Sequence, residues 1–193
     1  MKKLLMSVKE YIFSLWKFIL VAALVFVFAA FDGYFSTKSS PSEMELVLKK
    51  LQEMLGPIMK LPLFSQFLFI VLNNGITAFL AIILGIIFGI FPFLVLFSNG
   101  TILGAVAYFS KTAVSWSTVF ALTLPHGIIE IPIIILACAV GFKLGKISFD
   151  KVFKRQGSIK AELNTALNFF LKFLFPLLVL AAAIEVFITS RLL

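Results

Sequence analysis

The chain has 193 residues, 61% of them hydrophobic and only 13% charged, with 24 Phe and a mean hydropathy of +1.10. A soluble domain carries about a quarter charged residues to keep its surface wet, so this composition excludes one and predicts an all-α integral membrane protein. The net charge of +8 is therefore read by which loops carry it, not as a sign of nucleic-acid binding, and the lone Cys138 excludes an intramolecular disulfide or a CxxC centre.

In chain order, the N-terminal segment carries Lys2, Lys3, Lys9 and Lys17 against Glu10 and leads into an apolar run ending Val27-Phe28-Ala29-Ala30-Phe31. That ending is a poor small-x-small cleavage site, so the run is expected to be an uncleaved first span over about 11–31. The polar stretch that follows balances Asp32, Glu43, Glu45 and Glu53 against Lys38, Lys49, Lys50 and Lys60. Within it Met44, Val47, Leu48, Leu51 and Leu55 recur at helical spacing after Ser42, a candidate N-cap, and Gly56-Pro57 closes the pattern. An amphipathic helix over about 43–55, lying on the membrane, is predicted.

From Leu63 to Phe109 the chain is apolar apart from Gln66, Asn73, Asn74, Asn99 and a few Ser and Thr. That length suits two spans, expected at about 64–90 and 92–109, with a tight reversal between Phe91 and Gly100 where Pro92 and Ser98-Asn99-Gly100 supply turn signals. A fourth span, about 119–144, is expected to be broken at Pro125-His126-Gly127. A basic loop follows, with Lys143, Lys146, Lys151, Lys154, Arg155, Lys160 and Lys172 against Asp150 and Glu162, before a last span over about 167–188. The whole is one membrane domain, a bundle of about five transmembrane helices plus the outer amphipathic helix. Five spans put the two basic segments on one side, so both are expected to be cytoplasmic in a multi-pass protein of the cell membrane.

Polar groups inside the apolar runs are the candidate site. His126 and Glu130 lie four residues apart, on one face if Pro125 opens a helix, close enough to hydrogen-bond each other. The pair reads either as a titratable or ligand-binding site at the break or as a polar clasp between helices, and the clasp is favoured. Glu185, near the outer end of the last span, is expected to pair with His126 or Arg191 or to sit at the interface. Asn73, Asn74 and Asn99 are expected to bond to other helices. Gly85 and Gly89, Gly100 and Gly104, and Gly141 and Gly145 each make a GxxxG spacing, suited to a compact bundle or to the seam of a homo-oligomer. With one His in the chain and no HExxH, GxSxG or P-loop, proteolysis and ATP hydrolysis are disfavoured; no metal, cofactor or catalytic residue is expected.

Asn73-Asn74, Gly85, Gly89, Asn99-Gly100 with Gly104, above all Pro125-His126-Gly127-Ile128-Ile129-Glu130, and Ile184-Glu185 in the last span resemble the stage II sporulation protein M family over roughly residues 63–189. The resemblance implies a multi-span membrane protein that is not itself catalytic and that, in spore formers, holds peptidoglycan-degrading partners at the septum. Relatives in organisms that do not sporulate make the fold and polar core its firmer implication, with His126, Glu130, Asn74 and Glu185 as the transferable positions. Two function classes follow. The favoured one is a scaffold with the lipid bilayer and membrane or extracytoplasmic proteins as partners; the alternative is a small-molecule or ion transporter or channel built around His126 and Glu130. No internal repeat supports the second.

Overall fold

A computed structural model describes the backbone of residues 7–113 and 116–187, with side chains except those of 110–129 and positions 48, 51, 52, 54, 55 and 59. Every regular element among them is helical: α1 (Val8–Ser14), α2 (Trp16–Ser39), α3 (Pro41–Met59), α4 (Leu63–Ile83), α5 (Ile90–Ala113), α6 (Trp116–Lys154), α7 (Ile159–Phe169) and α8 (Phe175–Phe187). Among the described residues, five stretches are long and apolar enough to cross a membrane: Trp16–Ser39, Leu63–Ile86, Ile90–Phe109, Glu130–Lys154 and Ile159–Phe187. The expected five-span helical architecture is therefore present. Large side chains such as Phe28, Phe31, Leu24 and Phe64 stay exposed along these helices, as hydrocarbon-facing residues do.

Several boundaries differ from the sequence expectation. The reversal between the second and third spans lies at Ile87–Gly89, not between Phe91 and Gly100. Leu84–Ile86 tightens into a single 3₁₀ turn, and Phe88 and Gly89 take φ of 50° and 76° before α5 begins. Gly89 enters the left-handed region without a Cβ penalty, whereas Pro92 falls in the first turn of α5, where a missing N–H is tolerated. Ser98-Asn99-Gly100 lies inside α5, where Gly100 serves packing rather than turning. The amphipathic helix opens at Pro41 and runs past Gly56-Pro57 to Met59, because proline is preorganised for the first helical position.

The expected break at Pro125-His126-Gly127 is absent: the backbone of α6 is one helix from Trp116 to Lys154. Proline removes one hydrogen bond, whereas an unwound turn would leave several backbone groups to be satisfied in hydrocarbon, so the helix is the cheaper solution. The last span is also longer than expected. A π-helical segment, Phe170–Leu174, joins α7 to α8.

Two seams of small residues hold the bundle. In one, α2 crosses α5 so closely that a Cβ on Gly104 would overlap the Ala30 carbonyl oxygen, and one on Gly100 would lie 2.6 Å from the Phe26 carbonyl oxygen. Tyr34 and Tyr108 close this seam edge to face, ring centroids 5.5 Å apart. In the other, α6 lies against the α4–α5 hairpin: Gly85 meets the backbone of Gly141, Gly141 meets the Ala81 carbonyl, and Gly145 meets the backbone of Gly89. All three GxxxG spacings are thus used within one protomer, where backbone contact replaces the side-chain interlocking that larger residues would need. The core between the seams is formed by Leu96, Ile82, Ala137, Val140, Leu144, Leu174 and Leu178.

Candidate functional site

Above the second seam the packing changes from small and dry to polar. Asn74, Ala78, Ala81 and Gly85 follow one another down α4, and Glu130, Ile134, Gly141 and Gly145 follow one another down α6, so each helix turns a continuous stripe to the other. At the top of these stripes the Asn74 side-chain nitrogen donates to Glu130 Oε1 at 2.8 Å. The Glu130 carboxyl also meets the Glu185 side chain on α8. Three helices are thereby fastened through one carboxyl.

Asn74 and Glu130 also wall a cavity of about 370 Å³ between α2, α4, α5 and α6. Its polar side is Asn73, Asn74, Thr77, Asn99 and Glu130; its apolar side is Phe26, Ile102, Leu103, Val106, Ile131 and Ile134. Thr77 donates to the Asn73 carbonyl at 2.8 Å, one turn back on its own helix. Of the three asparagines expected to bond between helices, Asn74 does so. Among the described residues Asn73 reaches only its neighbour Asn74, at 3.4 Å, and Asn99 donates back to Val95 O at 2.8 Å, one turn earlier in α5. A short amide can fold onto its own helix when no partner helix comes within reach, and the cavity keeps those helices apart.

The expected partners of Glu185, the side chains of His126 and Arg191, lie outside the described residues; among the described residues its carboxyl meets Glu130. The proposed His126–Glu130 contact, the side chains of Pro125 and His126 and the surroundings of Gly127 lie outside the described residues, as does the whole of Arg191. Sequence reasoning found both carboxyls but not their meeting. The available signal was that each is an acid in an otherwise apolar span, needing a partner from another helix.

A second polar cluster lies at the opposite end of the bundle. Glu162 of α7 accepts from Tyr11 Oη at 2.7 Å and pairs with Lys143 Nζ at 2.9 Å. The Lys143 ammonium also sits 4.6 Å from the Tyr11 ring centroid and donates to Ser14 Oγ at 3.2 Å. Burial, and then the Glu162 carboxylate, push the Tyr11 hydroxyl above its ordinary value of 10.0. Asp150 is bridged to Lys146 and Lys154. The N-terminal helix, the Ile87–Gly89 turn and the basic segment thus share one end.

Five apolar spans with a hydrogen-bonded, half-buried acid–amide cluster between them define a polytopic membrane protein. More particularly, the chain belongs to the stage II sporulation protein M family, whose sequence profile matches residues 17–190 of the 193. No curated protein and no solved structure matches the chain.

Proposed function

We propose that the protein is a non-catalytic membrane scaffold that organises partner proteins at the cell membrane, with the α1 end in the cytoplasm. The observation that carries this reading is α3. The helix is strongly amphipathic, lies at the end opposite the basic cluster, and rests beside α2 and α4 with Leu46 and Val47 exposed at 55% and 46%. The seams beneath it fix α2 and α4 through backbone contact, so α3 is presented from a rigid base. Family membership supports the same reading. In a spore-forming host the partners are peptidoglycan-remodelling proteins, as the family resemblance implies.

The test is photocrosslinking from Leu46 and Val47 in native membranes, with Phe64 on the lipid-facing flank of α4 as the control position. A scaffold gives one discrete protein adduct from both α3 positions and only lipid adducts from position 64. Lipid adducts from all three positions would leave α3 as a membrane-surface helix and remove the reading.

A further inference from the structure

The cavity between α2, α4, α5 and α6 has the composition of a ligand site. Asn73 and Asn99 stand near the middle of α4 and α5, at bilayer depth, with exposed side chains that are turned into this cavity. An amide left facing hydrocarbon or an empty void is costly, so a polar occupant fits there better than lipid. The volume of about 370 Å³ is in the range of small-molecule pockets and far exceeds one ion.

The walls define the occupant's chemistry. Among the described residues no Lys or Arg lines the cavity, while Glu130 supplies a carboxyl and Asn73, Asn74, Asn99 and Thr77 supply amide and hydroxyl groups. A positive ligand charge is therefore the one that finds a counter-charge. The opposite wall is apolar and includes the Phe26 ring. An inorganic cation would have half its coordination sphere facing hydrocarbon, whereas an organic cation would seat its N–H groups on Glu130 and the amides and its carbon part against Phe26.

We propose that this cavity is a binding site for a small organic cation, a primary ammonium with a short apolar tail, with Glu130 as its counter-charge. The site stands independently of the scaffold reading, since a scaffold can carry a ligand without transporting it.

The test uses single cysteines, Asn73→Cys and separately Asn99→Cys, in a Cys138→Ala background of the full chain in detergent. Each is labelled with 2-aminoethyl methanethiosulfonate, a cation, and with 2-sulfonatoethyl methanethiosulfonate, an anion, with rates normalised to those for free 2-mercaptoethanol. The site predicts that the cation is favoured by about tenfold or more, as focused fields of one sign in clefts produce. It also predicts that n-butylammonium slows this labelling while n-butanol does not, and that adding Glu130→Gln brings the two normalised rates together. Equal rates, no labelling at either position, or a bias that survives Glu130→Gln would overturn the proposal. If Glu130→Gln does not fold, protection by n-butylammonium in the parent decides alone, and its absence counts against the site.

Discussion

The two ends of the α4–α6 contact show two ways of joining membrane helices. At the lower end Gly85, Gly141 and Gly145 bring backbones together and leave no space. At the upper end Asn74, Glu130 and Glu185 join three helices by polar side-chain contacts and leave a cavity beside them. In a bilayer, where apolar side chains gain little by leaving lipid for protein, close packing and polar bonding are the two sources of adhesion. Here they are separated along one helix pair: the glycine end supplies rigidity, and the polar end supplies chemistry.

The largest effect that can break this contrast comes from the glycine end. Gly141→Leu places a side chain where the Ala81 carbonyl and, at 3.0 Å, the Pro92 ring already lie. Because backbone cannot turn aside as a rotamer can, the expected loss is about 3 kcal/mol or more, at the upper end of overpacking costs. It is read as a large fall in melting temperature in detergent. Gly56→Ala in α3, whose Cβ would meet nothing within 4 Å, is the matched control and should melt at or above the parent.

The polar end should respond to chemistry more than to size. Glu130→Leu strands Asn74 and Glu185 in low dielectric, at about 1 to 3 kcal/mol for each unsatisfied group. Glu130→Gln keeps the shape and most of the bonding, so its melting temperature should lie clearly above that of the Leu variant. Equal values for the two would remove the polar cluster as a helix fastener.

These differences mark what the sequence could reveal. The glycine spacings were legible because a small residue every fourth position on an apolar helix has few uses besides close packing. The Ile87–Gly89 turn was not, because Pro92 and Asn99-Gly100 resemble turn residues more than Phe88 does, and only the structure shows that Gly89 carries the positive φ. Glu130 and Asn74 were each recognisable as polar groups in apolar spans. That Glu130 meets both Asn74 and Glu185 depends on how α4, α6 and α8 rotate against one another, which no local pattern encodes.

The cluster at the basic end gives a smaller, pH-dependent effect. Tyr11→Phe removes the hydrogen bond to Glu162 but leaves the Lys143–Glu162 pair, at a cost of about 1.5 to 3 kcal/mol for a bond to a charged group. The folded protein holds the Tyr11 proton more tightly than the unfolded chain does. Its contribution is therefore complete below about pH 10, the ordinary tyrosine value, and is lost as pH rises beyond it. In alkaline melts the parent should lose stability more steeply than Tyr11→Phe; parallel curves would contradict the burial of this hydroxyl.

Orientation is tested with almost no energetic cost. Lys49 in α3 and Lys154 at the end of α6 are both exposed. Cysteines placed there and treated with an impermeant thiol reagent in intact cells should label at position 49 only. Equal labelling, or labelling at 154 alone, would contradict an N-terminus in the cytoplasm.

The most direct test of the scaffold reading is flux in reconstituted vesicles. Purified protein in lipid vesicles, given a proton or potassium gradient, should dissipate it no faster than empty vesicles, and Glu130→Gln should leave that rate unchanged. Robust flux through the parent that Glu130→Gln abolishes would contradict the scaffold account and make the polar end of the α4–α6 contact a transport site.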